Sequence, residues 1–166
     1  MTSRCAMSYT VIESPVGSLL LAADEEGLRH IEFMRGRRAV RPNPEWRENH
    51  TPFKTAVQQL RAYFSGTLKD FTLPLAPEGT PFQLDVWKRL CEIPYGETTS
   101  YGEIACRLGH PQASRAVGLA NGANPLPIVI PCHRVIGSTG KLTGYGGGLP
   151  IKEKLLALER GQLTLL

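Results

Sequence analysis

The hydrophobic pattern of this 166-residue chain changes once, near residue 80. Residues 7–34, MSYTVIESPVGSLLLAADEEGLRHIEFM, alternate between apolar and polar with the period of two that is typical of β-strands. Turn signals at 15–17 and 25–27 divide this segment and predict an antiparallel meander of three strands. From Pro81 onward the pattern is one of short helices. The sequence therefore predicts two domains, residues 1–79 and residues 80–166.

The remainder of the first domain predicts one helix and little regular structure around it. Residues 35–51 contain Pro, Gly and Arg without a period and predict a loop, in which the RGRR run at 35–38 is either solvated or in contact with a phosphate backbone. Residues 53–64 place Phe53, Val57, Leu60 and Phe64 on one helical face. Residues 71–80 predict a short strand and a linker.

The second domain begins with a predicted helix that has Thr80 as its N-cap and Pro81 at its first position. Its expected buried face consists of Phe82, Val86, Leu90 and Ile93. Another helix follows a cap at Thr99 or Ser100 and ends at Gly109. Residues 113–124 form the next helix. Two short helices joined by a turn are a helix-turn-helix pattern, although helix pairs in ordinary cores look the same.

The second helix of this pair is rich in small residues, with Arg115 standing among them. We expect these small residues to form one nearly bare face: Ala113, Ser114, Ala116, Gly118, Ala120 and Gly122. Such a face permits close helix packing inside a protein. It equally permits close approach to the narrow minor groove of DNA, which rejects bulky side chains.

The composition is that of an ordinary globular protein, with 42% hydrophobic and 20% charged residues. The net charge of +4 fits either a nucleic-acid partner or a solvated surface.

No apolar run has the length of a membrane span, and the first ten residues lack an apolar signal core, so a cytoplasmic location with reduced thiols is expected. The four cysteines form no CxxC, which argues against a zinc or redox pair.

The stretch IPCHRVIG at 130–137 holds the strongest candidate for chemistry. Cys91 and Cys106 are expected to be inert, buried on helix faces. Cys132 follows an apolar strand and has His133 next to it, and a thiol near a base is a potential nucleophile. Glu159, on a predicted C-terminal helix, is a candidate to orient that base. The alternatives are an unreactive buried cysteine and a surface glutamate.

These residues carry a family resemblance. NPLPIVIPCHRVIGSTGKLTGYGGGLPIKEKLLALE closely resembles the active-site region of the O6-alkylguanine-DNA alkyltransferases, also called methylated-DNA–protein-cysteine methyltransferases. The similarity continues upstream through FQLDVWKRLCEIPYGETTSYGEIACRLGHPQASRAVGLANGANP and reaches IESPVGSLLLAADEEGL. The resemblance implies a small ribonuclease-H-like α/β domain, with a small antiparallel sheet plus helix, followed by a mostly α winged-helix-like DNA-binding domain.

The resemblance also implies catalytic roles. Cys132 is the alkyl acceptor, His133 is the base that reaches the thiol through a water, and Glu159 orients that histidine. Asn124 ties the recognition helix to the active-site turn, and Tyr101 donates a hydrogen bond to the departing guanine.

Substrate and DNA contacts follow from the same resemblance. Arg115 enters the base stack where the target nucleotide is flipped out. The implied pocket residues are Val135, Tyr145, Gly146 and Lys152. The implied DNA-binding residues are Ser114, Arg115, Ala116, Gly118, Asn121 and Gly122. The implied partner is double-stranded DNA containing O6-alkylguanine, bound through its minor groove by a monomer; cooperative binding and O4-alkylthymine as a second substrate stay open.

The chain departs from the family pattern in three places. Some members hold a structural zinc, but here only Cys5 lies at a matching position, while Asp24 and Arg29 occupy two others, so no metal is expected. Lys154 stands where many members have tryptophan, and Gly146 stands where some have serine or threonine, which could alter the width of the pocket.

The implied reaction is irreversible and needs no cofactor, because the protein itself accepts the alkyl group. Two other functions remain open at this point. A cysteine hydrolase would turn over without DNA, and a non-catalytic lesion binder would use the same helix pair. The intact Cys132 argues against the lesion binder.

Overall fold

The computed structural model describes residues 6–34, 42–140, 142 and 144–162. Two compact units divide between Pro77 and Glu78, close to the boundary expected from the change in hydrophobic pattern. In the described part of the chain, no helix has the length and apolarity that crossing a membrane requires.

The first unit contains the predicted antiparallel meander of β1 (Ser8–Ser14), β2 (Gly17–Asp24) and β3 (Gly27–Phe33). A short strand, β4 (Arg47–Glu48), adds to β1 in parallel, so the sheet is mixed and has the order β3-β2-β1-β4. The prediction of an unbroken loop over 35–51 is therefore wrong at β4. A strand of two residues is too short to show a period in the sequence. The RGRR run lies outside the described residues.

The strand predicted in 71–80 is reduced to a single bridge between Leu75 and Leu28. Leu28 N donates to Pro74 O at 2.9 Å, and Ala76 N donates to Leu28 O at 2.8 Å. This close approach requires Gly27, because a Cβ there would lie 2.4 Å from Pro74 O, and its φ of +148° also disfavours a side chain. The segment 74–76 thus closes over the β2–β3 hairpin.

Helix α1 (Lys54–Phe64) is preceded by a 3-10 turn at Thr51–Phe53. The residues predicted to form its inner face, Phe53, Val57, Leu60 and Phe64, are all 5% exposed or less. They pack with the apolar residues of the sheet to form the core of this unit, which includes Leu19, Leu20, Leu21 and Ile31.

The second unit is mainly helical. Its helices are α2 (Pro81–Leu90), α3 (Tyr101–Arg107), α4 (Ser114–Gly122) and α5 (Leu149–Glu159). Two-residue strands β5 (Thr99–Ser100) and β6 (Val135–Ile136) pair in parallel. The predicted caps are present: Thr80 and Gln83 form a reciprocal capping box, and Ser100 accepts from Glu103 N.

Trp87 joins α2 to α4. Its side chain is 3% exposed, and its Nε1 donates to Ala120 O at 2.8 Å. Of the residues predicted for the inner face of α2, Val86, Leu90 and Ile93 are buried, whereas Phe82 is half-buried. The apolar face is therefore rotated toward Trp87, which the prediction omitted.

Candidate active site and DNA interface

Cys132 is held at the end of a buried turn. We call residues 124–134 the active-site turn; its last three residues form a 3-10 helix, Cys132–Arg134. Asn124 braces the turn from both ends, since its Nδ2 donates to Ile130 O at 2.8 Å and its Oδ1 accepts from Leu126 N at 2.9 Å. These two bonds lie within the active-site turn itself, so they support its shape and leave the predicted link of Asn124 to the recognition helix as a prediction.

The backbone of the active-site turn is strained at Ile128, which has a φ of +75°. A β-branched residue rarely adopts this conformation, at a cost of order 1–3 kcal/mol. Ile128 is completely buried, so packing around it maintains the conformation. The strain lies four residues before Cys132.

Cys132 is buried, with 4% of the residue exposed. Burial raises its pKa to about 11, although the Asn124 side chain and the charge of Lys152 partly oppose this effect. At neutral pH the group is therefore a protonated thiol. A base must remove its proton before or during any nucleophilic attack.

His133 is the candidate base that the sequence predicts. Its Nε2 lies 2.6 Å from Glu159 Oε2, and both residues are buried. An ionised carboxylate only accepts hydrogen bonds, so Nε2 carries the proton and Nδ1 keeps its lone pair. Within the described residues, His133 Nδ1 has no hydrogen-bond partner. Burial lowers the pKa of His133, with Glu159 acting in the opposite direction.

Arg134 completes this cluster, and the sequence analysis assigned it no role. Its Nε and Nη2 donate to the two oxygens of Glu159 at 2.8 and 3.1 Å. Its Nη1 donates to Ile93 O at 2.7 Å. Burial alone would raise the pKa of Glu159, but the hydrogen bonds and charges of His133 and Arg134 lower it to about 2. The sequence signal that could have identified Arg134 is its position directly after the Cys-His pair.

The residues predicted to line the pocket differ in their surroundings. Lys152 is completely buried, and its Nζ donates to Val135 O at 2.7 Å. Burial lowers the pKa of Lys152. Burial, reinforced by the charges of Cys132 and Glu159, raises the pKa of Tyr145 well above its usual value, so its hydroxyl stays protonated. A Cβ at Gly146 would meet no atom within 4 Å, which leaves this position open.

Helix α4 exposes a different face from the one predicted. Ala120 is 2% exposed and packs toward Trp87, so the small residues do not share one face. Residues two apart on a helix are separated by about 200°, which the prediction overlooked. The exposed residues are Arg115, Ala116, Leu119 and Gly122; Ser114 and Gly118 are half-buried. Leu119, which the prediction omitted, is 75% exposed.

Asn121 does not lie on this exposed face, contrary to its predicted role in DNA binding. It is 5% exposed, and its Nδ2 points to Cys132 O at 3.4 Å, a long contact. The helical register turns it inward together with Val117. Its position indicates a link between α4 and the active-site turn.

Tyr101 begins α3 and faces α4. A Cβ at Gly118 would lie 3.8 Å from the Tyr101 ring, so a larger side chain at 118 would compete with the ring for space.

Cys91 and Cys106 were expected to be buried but are exposed. Cys91 follows the last turn of α2, and Cys106 lies beside, not on, the buried stripe of Ile104 and Ala105.

Comparisons with known proteins agree with this architecture. Residues 7–77 match the ribonuclease-like domain, and residues 81–161 the DNA-binding domain, of 6-O-methylguanine DNA methyltransferase. A methylated-DNA–protein-cysteine methyltransferase of Methanosarcina barkeri is 59% identical over 95% of this chain and 99% of its own length. The proteins of that name from Mycobacterium tuberculosis are 50% identical over 93% of both chains.

Solved structures show the same fold. The crystal structure of Mycobacterium tuberculosis OGT in complex with DNA has a TM-score of 0.87 and 50% identity, and the match covers 93% of this chain and 94% of that one. The crystal structure of the Mycobacterium tuberculosis O6-methylguanine methyltransferase matches with a TM-score of 0.87 and 49% identity, over 95% of this chain and 94% of that one. The predicted fold class is confirmed, and the chain belongs to the 6-O-methylguanine DNA methyltransferase family, the methylated-DNA–protein-cysteine methyltransferases.

Proposed function

We propose that this protein repairs alkylated DNA by moving the alkyl group from O6 of guanine to its own Cys132. The observation that carries this assignment is the buried cluster of Cys132, His133 and Glu159 inside a domain that matches the family's DNA-binding model. The names of the relatives describe the same reaction.

The transfer is a displacement at an sp3 carbon. The Cys132 sulfur forms a bond to the alkyl carbon while the bond from that carbon to guanine O6 breaks. The thiol proton passes to His133 Nδ1, directly or through a bridging water, and the protonated imidazole is stabilised by Glu159 at 2.6 Å. The resulting thioether has no hydrolytic route back to a thiol, so each molecule reacts once.

The departing guanine gains electron density as the bond to O6 breaks. Hydrogen bonds to that developing charge lower the barrier. Tyr101, at the first position of α3, is the proposed donor to the guanine ring. Tyr145 is the second proposed donor, since its raised pKa keeps its hydroxyl protonated. Val135, Gly146 and Lys152 complete the proposed pocket.

Repair by this route requires a flipped nucleotide. A thiol that is 4% exposed cannot reach a base stacked inside a duplex, so the base has to enter the pocket. We assign Arg115, exposed on α4, to the space the base leaves, with α4 in the minor groove through Ser114, Ala116, Gly118 and Gly122. A monomer suffices for this arrangement, and O4-alkylthymine is a further candidate substrate.

The decisive experiment mixes the protein with a duplex bearing one O6-methylguanine and measures the mass of the intact protein, followed by peptide mapping. One added methyl group on Cys132 and no turnover are expected. Continued repair beyond one lesion per molecule would contradict the single-turnover mechanism, and methylation of the exposed Cys91 or Cys106 would contradict the site. Ester hydrolysis without DNA would favour the cysteine hydrolase, and binding without methyl transfer would favour the lesion binder.

A further inference from the structure

Arg134 occupies a central place in the active site, yet the proposed reaction gives it no step. It is 6% exposed and contacts two separate parts of the second unit, α5 and the segment that follows α2. Its guanidinium bonds to Glu159 on α5 and to Ile93 O after α2, and it lies 5.7 Å above the centre of the Tyr95 ring. A cation held on three sides in this way has little freedom to leave the carboxylate.

We propose that Arg134 is a positioning residue that keeps His133 neutral at rest and keeps the transferred proton on the imidazole during the reaction. This inference rests on the proposed role of His133 as the base. It concerns a residue that touches neither the alkyl group nor the thiol.

The first part of the argument concerns the oxygens of Glu159. Oε1 accepts from Arg134 Nε at 2.8 Å and from Gly96 N at 3.3 Å. Oε2 accepts from His133 Nε2 at 2.6 Å and from Arg134 Nη2 at 3.1 Å. Both oxygens are therefore engaged as acceptors. Moving the proton from the imidazole to Oε2 would neutralise the carboxylate that Arg134 binds through two charge-assisted hydrogen bonds, so the guanidinium disfavours that transfer and the proton stays on His133.

The second part concerns the resting charge of His133. A buried histidine bonded to an unshared carboxylate would tend to be an imidazolium, and an imidazolium cannot accept the thiol proton. Arg134 offsets the charge of Glu159, so the histidine faces a nearly neutral ion pair. Burial is the largest of the effects that lower the pKa of His133. Glu159 raises this pKa, and the charges of Arg134 and Lys152 lower it further.

The remaining groups around the cluster do not replace this effect. Lys152 on α5 adds positive charge, but its Nζ donates to Val135 O, and the groups that lower the pKa of Glu159 are His133 and Arg134. Cys132 and Tyr145 are protonated at neutral pH because burial raises the pKa of both, and burial also raises the pKa of Tyr95. Arg134 is thus the cation placed to balance the carboxylate directly.

The test compares Arg134→Met, which removes the charge, with Arg134→Lys, which keeps a charge but cannot form the fork. The titration of the His133 ring is followed by NMR in proteins that also carry Cys132→Ser. Single-turnover methyl transfer is measured from pH 6 to 9 with Cys132 intact. Arg89→Met, at a more exposed ion pair on α2, is the matched control.

The midpoint for His133 should move to higher pH in Arg134→Met and to an intermediate value in Arg134→Lys, and stay unchanged in Arg89→Met. The rate of Arg134→Met should fall at least about tenfold at pH 6, and the loss should shrink toward pH 9, where the histidine is again neutral. If Arg134→Met does not fold, the direction of the shift in Arg134→Lys decides.

A merely structural role predicts a different result. The rate would then fall by the same factor at every pH, and the His133 midpoint would not rise in either variant; that outcome overturns the inference. The proposed base is tested separately with His133→Ala. If His133→Ala reacts at the normal rate, the proposed role of the histidine fails. If His133→Ala is slow while both Arg134 variants titrate normally, only the inference about Arg134 fails.

Discussion

The side chain of Cys132 lies in surroundings that oppose its own ionisation. A free thiol already has only a few per cent thiolate at neutral pH. Burial lowers that fraction further by raising the pKa of Cys132 to about 11. The rate of transfer must therefore depend on the neighbours that take up the proton, and the contributions of those neighbours can be separated by single substitutions.

Glu159→Gln should keep the shape of the site but slow methyl transfer, because a neutral amide stabilises the imidazolium poorly. His133→Ala should lose a similar amount, about 10²–10⁴-fold for a general base. The double variant should be scarcely slower than either single one, since residues that act as a unit are strongly non-additive. Single-turnover rates and thermal melting of the three proteins provide the measurement.

Two results would contradict this linkage. Normal transfer by Glu159→Gln would return Glu159 to a structural role, in which its 2.6 Å contact only positions the ring. Losses that simply multiply in the double variant would mean that His133 and Glu159 act independently. Thermal melting guards against misfolding, because Glu159 also accepts from Arg134.

At the scale of helices and strands, the sequence predicted best where the signals were local. The N-cap at Thr80 and the turns around β2 depend on neighbours within a few residues, and both were predicted correctly. β4 was missed because its pairing with β1 joins residues about forty positions apart. The inward register of Asn121 was missed because small residues do not mark the buried side of a helix.

The residues of the candidate active site show the same difference between local and long-range signals. Cys132 and His133 could be singled out from their residue types. Glu159 could be named only as a candidate, and the family resemblance was needed to prefer it over a surface glutamate. The contacts of Arg134 with Ile93 and Tyr95 connect segments about forty residues apart, so no local pattern could indicate them.

Helix α4 yields a prediction of its own. Arg115→Ala should slow repair of duplex DNA much more than reaction with free O6-alkylguanine, because only the duplex requires a flipped nucleotide. The loss in DNA binding should be about 1–3 kcal/mol. Arg61→Ala, which removes another exposed charge, on α1, is the control and should leave both reactions unchanged. Equal losses on the two substrates would argue against an extrahelical role for Arg115.

At the scale of the whole molecule, the first unit contains an ion pair between Asp24 and Arg29, the two residues that the family resemblance places at positions of zinc ligands. Arg29 Nε lies 2.8 Å from Asp24 Oδ2, and both side chains are 13% exposed. Arg29 Nη1 also donates to Ala76 O at 2.7 Å, which ties the β2–β3 hairpin to the segment that closes over it. Among the described residues, no cluster of three or more His, Cys, Asp or Glu could hold a metal; Cys5 lies outside them.

This arrangement should stabilise the protein without zinc. Arg29→Ala is expected to lower the free energy of unfolding by about 1–3 kcal/mol, because it leaves a largely buried carboxylate and carbonyl without their charged donor. Arg89→Ala, which removes the more exposed ion pair with Glu92, should change it by less than about 1 kcal/mol. Urea unfolding followed by circular dichroism measures both variants, and elemental analysis of protein prepared without added metal measures zinc.

The pH dependence of the same experiment isolates the ion pair. Although burial opposes it, hydrogen bonds from the Glu26 backbone and Arg29 lower the pKa of Asp24 below its usual 3.8. The folded state therefore favours the ionised carboxylate. The stabilisation should be fully present above about pH 3.8 and disappear as the pH falls through the lower folded value. The difference in the free energy of unfolding between Arg29→Ala and the parent protein should become smaller over that range. A difference in the free energy of unfolding that stays constant with pH, or one zinc per chain that survives dialysis, would show that the ion pair does not stabilise this hairpin.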